Sequence, residues 1–328
     1  VEKIKVGRGI KMSLSTREFS ANKLALTKIY EEIPAGYHSS QLQTEKTEQI
    51  YGPLKLPSDL ADRPRLFGCF VSSIDGSIAF SDNPSSTLLA RQNKFDPAGA
   101  EADFWLLNFL RANCDGVILG PKTLQAEPKL TAHLHDQDLE QARCKLLEKN
   151  RIPLNIVISR SGQSIPYDHL LFSQPEVPVV IATSPQGGDY AEQNLEQASE
   201  RIDLGKTAID DLLTKISQAL QEDKVILLTA GCGKELDDLL LFNFLKQYNI
   251  DRILVEAPTY THYLLQQGLV DELFLNQAGV YSGSMKHLNT NPEAAFSSAN
   301  PPRAKMITIH THSAHFFYYR YRFIYEEV

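Results

Sequence analysis

The chain has 328 residues, 42% hydrophobic and 22% charged, the make-up of a globular protein with room for one large domain or two modest ones. A net charge of −7 without any Lys/Arg-rich run argues against non-specific nucleic-acid binding, while leaving a small anion open to a local cluster of donors. The longest apolar runs, such as "KVILLTA" and "VPVVIAT", are strand-length and too short to span a bilayer, and the N-terminal stretch lacks the apolar core of a signal peptide. Cys69, Cys114, Cys144 and Cys232 are scattered without a C-x-x-C pair, which reads as small core residues in a reducing, cytoplasmic compartment.

Residues 1 to 62 are polar and charge-rich and read as an N-terminal extension of unknown role, with short helices expected in "TREFSANKLALTKIYEEI". From Arg65 a β/α alternation begins. "RLFGCFVSS" predicts a strand that "DGSIAF" continues after a turn, and "AGAEADFWLLNFLRAN" has helical spacing before the strand "DGVILG". "PLNIVISR" and "VPVVIAT" predict strands. "TAIDDLLTKISQALQE" predicts a helix capped by Thr207, leading into the strand "KVILLTA". "KELDDLLLFNFLKQYN" predicts another helix, feeding the strand "RILVE", and "VEAPTYTHYLLQQG" then reads as strand, turn and helix. The tail "AKMITIHTHSAHFFYYRYRFIYEEV", rich in β-branched and aromatic residues, predicts an antiparallel pair. The sum is an α/β chain with a mixed sheet over residues 63 to 328.

G-x-G-x-x-G, G-x-x-x-x-G-K-[ST] and G-x-S-x-G are all absent, as is the H-x-E…P-C-x-x-C of zinc deaminases. What remains is a set of strand-end turns, where α/β proteins bind ligands. "SSIDGSIA" places Ser73, Asp75 and Gly76 in a tight turn, and "LGPKT" offers a close backbone approach at Gly120 beside Lys122 and Thr123. "TSPQGG", opened by Thr183, is hydroxyl- and glycine-rich, and "TAGCGK" reads as a further strand-to-helix turn. His310, His312 and His315, with His133 and His135, have no carboxylate or cysteine at a zinc spacing. They read as surface or strand-edge histidines, and no metal is expected.

Three blocks, "FVSSIDGSIA", "LRANCDGVILGPKTLQAEPKL" and "RILVEAPTYTHYLLQQGLVDEL", resemble in order and spacing the riboflavin-biosynthesis pyrimidine reductases, the reductase half of the bifunctional deaminase/reductase. The resemblance runs over roughly residues 64 to 320. It implies a dihydrofolate-reductase-like mixed sheet flanked by helices, a homodimer, NADPH as hydride donor and a phosphoribosylamino-pyrimidine substrate. Carried onto this chain, Ser73, Asp75 and Gly76 would line the nicotinamide side. Gly120, Thr123, Thr183 and the turn Ala257-Pro258-Thr259 would meet the cofactor. Glu127 and Glu256 would be the catalytic carboxylates, with Arg111, Leu130 and His133 on the substrate.

The chain departs from the family at two places. Ala257 and Pro258 stand where the family has Gly-Gly, adding a Cβ and removing an N–H, although Pro258 suits a first helical turn. His133 stands at the arginine that follows "P-x-L", and is only partly charged at neutral pH. Arg111 also reads as a helix C-terminal charge, and Glu256 as the partner of a neighbouring base. Two classes stay open: an NADPH-dependent reductase, acting on the family substrate or on a pterin or other heterocycle, and a diverged member with weakened or lost cofactor binding that holds a nucleotide-like ligand or a partner.

Overall fold

The computed structural model describes residues 14–206, 222, 224–289 and 291–325. Its strands are β1 (Thr27–Glu31), β2 (Tyr37–Ser39), β3 (Lys55–Pro57), β4 (Arg65–Ser72), β5 (Gly116–Leu119), β6 (Leu154–Ile158), β7 (Val179–Thr183) and β8 (Ser199–Asp203). They continue as β9 (Val225–Thr229), β10 (Gly231–Cys232), β11 (Glu235–Leu236), β12 (Arg252–Val255), β13 (Glu272–Ala278), β14 (Arg303–Ser313) and β15 (Phe316–Ile324). The helices are α1 (Ala21–Leu24), α2 (Glu45–Ile50), α3 (Ser86–Arg91), α4 (Pro97–Asn113), α5 (Pro121–Ala126) and α6 (Gln137–Leu146), then α7 (Pro185–Asn194), α8 (Asp238–Gln247) and α9 (Pro258–Gln266).

Eleven strands form one sheet, in the order β1-β14-β15-β13-β4-β12-β5-β6-β7-β9-β8. From β13 to β8 every neighbouring pair is parallel, and β13-β15, β15-β14 and β14-β1 are antiparallel. The parallel strands are nearly continuous apolar runs because both faces are covered. One face carries Trp105, Phe109, Leu134 and Leu171, and the other Phe242, Leu245, Leu264 and Val270. This is the mixed sheet flanked by helices, with C-terminal antiparallel strands, that the sequence predicts.

The chain leaves β4, passes through α3 and α4, and skips one position to form β5; α8 later delivers β12 into that gap. The strand order therefore reverses around β4, β12 and β5, the place where open α/β sheets bind ligands beyond their carboxyl ends.

Several expectations are corrected. "TREFSANKLALTKIYEEI" yields only the four-residue α1 and then β1, because Thr27 to Glu31 pair with Thr308 to Thr311 of β14. The extension thus supplies an edge strand to the main sheet. "DGSIAF" is turn rather than strand: Ile78 N–H donates to the Lys286 carbonyl of a loop. "TAGCGK" closes the β10–β11 hairpin, and α8 starts only at Asp238, capped by the Asp237 carboxylate on Leu240 N–H. Cys144 and Cys232 are exposed while Cys69 and Cys114 are core residues. The helix expected at "TAIDDLLTKISQALQE", with its Thr207 cap, falls almost wholly outside the described residues.

Candidate active site

A cavity of about 750 Å³ opens at this reversal, within the size range of small-molecule sites. Cys69, Phe70 and Val71 of β4 form one wall and Phe104, Leu107 and Arg111 of α4 another. Lys122 and Thr123 of α5, the segment from Glu127 to Thr131, and Glu256, Pro258 and Thr259 after β12 complete it.

At its floor Arg111 and Glu256 form a two-pronged ion pair, Nε to Oε1 and Nη2 to Oε2, both 2.7 Å. A further Arg111 N–H donates to the His133 carbonyl at 3.2 Å. The pair joins α4 to the end of β12, and only 2% and 10% of the two side chains reach solvent. Glu256 is thus the partner of a neighbouring base, and Arg111, in the last turn of α4, spends its charge on that carboxylate; both face the cavity. The Thr123 hydroxyl donates to the Glu256 carbonyl and fixes the turn.

Glu127 closes α5, faces the cavity and accepts a hydrogen bond from the Ser85 hydroxyl at 2.7 Å. Leu130 lies beside it on the wall. His133 is turned away: it is buried, bonded to the Thr131 hydroxyl and the Ser15 carbonyl, and its ring lies against that of His135, tilted by 46° with centroids 3.9 Å apart. His135 reaches the cavity instead. Burial, then the adjacent His133 and Arg111, lowers His135 to about 3, and burial also lowers His133, so this wall is uncharged at neutral pH. The expectation of surface or strand-edge histidines fails here and at His310, which is buried against Tyr51.

The turn after β12 caps α9 with Ala257, which makes no side-chain cap, and Pro258 stands in the first turn. The Thr259 and Tyr260 amides are then the first donors of α9. A Cβ placed on Gly120 would meet the Ala257 Cβ at 3.2 Å, so the turns after β5 and β12 lie against each other. Lys122, Thr123 and Thr259 project from them into the cavity.

Ser73, Asp75 and Gly76 sit beside the cavity without lining it. Asp75 accepts from the Ser282 and Gly283 amides, and the Ser73 hydroxyl above all, with these amides, holds its carboxyl well below the usual range. Gly76 takes a left-handed φ of +80° in that turn. Thr183 is not brought to the cavity: its hydroxyl donates to the Arg160 carbonyl. The neighbouring glycines serve packing, because a Cβ on Gly188 would lie 2.5 Å from Thr229, and Ser184 caps α7.

The residue missed by the sequence reading is Asp103. It lies one and two helical turns before Leu107 and Arg111, on the same face of α4, and it lines the cavity. Its Oδ1 accepts from Asn276 Nδ2 at 2.6 Å. Burial pushes its carboxyl up to about 6, against the opposing effect of that bond. The i, i+4, i+8 spacing of Asp103, Leu107 and Arg111 was the available signal. Four cations, Arg91, Lys122, Lys129 and Lys286, line the remaining walls. Among the described residues no group of His, Cys, Asp and Glu is placed to hold a metal ion, and no helix is long and apolar enough to cross a membrane.

Residues 65–295 match the family model described as the RibD C-terminal domain. No curated protein sequence matches the chain. Among solved structures, a pyrimidine reductase-like protein of Corynebacterium diphtheriae is similar at 18% identity and TM-score 0.54, over 81% of this chain and 94% of that one. A deaminase/5-amino-6-(5-phosphoribosylamino)uracil reductase of Thermotoga maritima is similar at 16% identity and TM-score 0.52, over 80% of this chain and 57% of that one. RibD of Acinetobacter baumannii gives 18% identity and TM-score 0.51, over 85% of this chain, which spans 61% of that protein. The fold is shared at these identities, the matched segment covers most of the chain, and the chain belongs to the RibD C-terminal domain family.

Proposed function

We propose that the protein is an NADPH-dependent reductase whose substrate is 5-amino-6-(5-phosphoribosylamino)uracil or a close relative of it. The observation that carries this reading is the cavity at the reversal of strand order, where Arg111, Glu127 and Glu256 meet Lys122, Thr123 and Thr259. The donor set fits a dinucleotide: Lys122 and the Thr259 hydroxyl, with the uncapped start of α9, would hold its phosphates, while Thr123 keeps the turn beside them in place. The turn has fewer backbone donors than a Gly-Gly turn, so cofactor affinity rests more on these side chains. NADPH, when bound, supplies the hydride. The protein's task is to position the acceptor carbon and exclude water. The Arg111–Glu256 pair would orient the heterocycle, presenting guanidinium N–H donors and carboxylate acceptors to its carbonyl and N–H groups. Glu127 would act on the substrate near the reacting carbon.

The family's homodimer belongs to the same reading. Leu275, Tyr319, Ile309 and Tyr30 lie side by side across β13, β15, β14 and β1, all half-buried or exposed. Phe317 and Tyr321 flank Tyr319 along β15, each ring 6.1 Å away. This apolar row suits a second copy of the chain.

The alternative, a diverged member that has lost hydride chemistry and binds a nucleotide-like ligand or a partner, is favoured by the uncharged His133–His135 wall and by an Arg111 already engaged. Titration with NADPH, followed by cofactor fluorescence, separates the two. Saturable binding supports the reductase, and absence of binding at millimolar NADPH refutes it.

A further inference from the structure

The charged groups that α4 presents to the cavity are Asp103 and Arg111, roughly 12 Å apart along the helix, with Phe104 and Leu107 as apolar wall between them. Arg111 is satisfied by Glu256 and the His133 carbonyl. Asp103 is not satisfied in the same way. A carboxylate offers about four lone-pair sites, and here one is used, by Asn276 Nδ2. No ion pair reaches it among the described residues.

Its surroundings explain why the charge stays uncompensated. Asn276 is fully buried in β13, in register with Val71 of β4 and Tyr318 of β15, so it holds Asp103 in one orientation. The titratable groups facing Asp103 from those strands are Cys69 of β4 and Tyr318 of β15, and burial keeps both neutral. On its own helix Arg111 is committed to Glu256. Arg91, Lys122, Lys129 and Lys286 stand on other walls. Asp103 is thus a half-buried carboxylate on an otherwise apolar wall, with its second oxygen open to the cavity and available to a bound molecule.

We propose that Asp103 is the second polar anchor of the cavity: its free carboxylate oxygen accepts a hydrogen bond from a hydroxyl or amino group of the bound molecule, at the opposite end from the Arg111–Glu256 pair. The proposal rests on the reading of this cavity as the substrate site. It adds a specificity rule to that reading: the molecule carries a hydrogen-bond donor, neutral or cationic, at the Asp103 end. A carbonyl, a carboxylate or a phosphate there is rejected.

The binding of such a donor favours the ionised carboxylate and drives off its proton, which gives the test. The full chain and the isosteric Asp103→Asn variant, each shown folded by its melting curve, are titrated calorimetrically with 5-amino-6-(5-phosphoribosylamino)uracil in two buffers of different ionisation enthalpy. At pH 6 the unmodified chain should release about half a proton per site more than D103N, and the difference should vanish by pH 8. Subtracting the variant removes protons released by the phosphate of the probe. At pH 8 D103N should bind 10- to 100-fold more weakly. Equal affinity and equal proton release in the two proteins overturn the role of Asp103 and leave the substrate reading standing. Extra proton uptake by the unmodified chain also overturns it. Failure of the unmodified chain to bind the probe at all overturns the substrate reading and the anchor with it.

Discussion

Replacing Arg111 by Met removes a buried guanidinium while keeping most of its length, and leaves the Glu256 carboxylate only 10% exposed without its partner. Breaking a buried pair in this way costs about 3–5 kcal/mol, because the remaining charge stays desolvated. The complementary Glu256→Gln leaves Arg111 with the His133 carbonyl and one amide oxygen, so its cost is smaller, about 2–3 kcal/mol. In the double variant neither charge remains, and the loss falls well short of the sum: a coupling of at least about 2 kcal/mol is expected. The chain has a single tryptophan, Trp105, which is fully buried on α4 and donates to Asp136, so its fluorescence in a urea titration reports unfolding of the helix that carries Arg111. Single-variant losses below about 1 kcal/mol, or strict additivity, would show that the two side chains do not form the buried pair on which the site is built.

Three further outcomes follow from the same structure. The Asp103 carboxyl, raised from 3.8 to about 6, favours the fold below its ordinary value and opposes it as pH rises through 6. Asp103→Asn should therefore match the parent near pH 4 and be about 1–3 kcal/mol more stable at pH 8, the lower figure allowing for cavity water; a stability curve unchanged with pH refutes this. His310, lowered to about 4 chiefly by burial, binds a proton more readily when unfolded, so stability present at pH 7 drains away as pH falls below 6.5. His310→Phe keeps a ring on Tyr51 and should shrink the loss between pH 7 and pH 4.5 by about 2 kcal/mol, measured by acid-dependent melting. Tyr319→Lys puts a charge in the middle of the apolar row and should shift a dimer to monomer in light scattering, whereas a dimer that persists places the interface elsewhere.

The parallel strands were legible because burial on both faces writes them as short, continuous apolar runs, and Arg111 and Glu256 were legible from the motif blocks around them. What the sequence hid were long-range partners. "TKIYE" extends a charge-rich stretch that reads as helix, and only pairing with a strand some 280 residues away makes it β1. "DGSIAF" has strand-like residues, but Asp75 anchors a loop at Ser282 and Gly283, and Ile78 bonds to Lys286 rather than to a strand. Asp103 passes for a solvated helix residue until Asn276, from a strand on the far side of the chain, closes over one of its oxygens. His133 and His135 differ by two positions, and their spacing alone does not say which one faces the cavity. The glycines of "TSPQGG" look like a phosphate loop, yet their missing side chains make room for Thr183 and Thr229.

The central claim, that this cavity brings NADPH and a phosphoribosylamino-pyrimidine together for hydride transfer, is tested most directly with NADPH deuterated at the reactive C4 position. Incubated with the protein and 5-amino-6-(5-phosphoribosylamino)uracil, it should pass one deuterium to the ribityl product, detected by mass spectrometry, with the transfer abolished in Glu256→Gln. Saturable binding of both molecules with no deuterium in any product would contradict the claim.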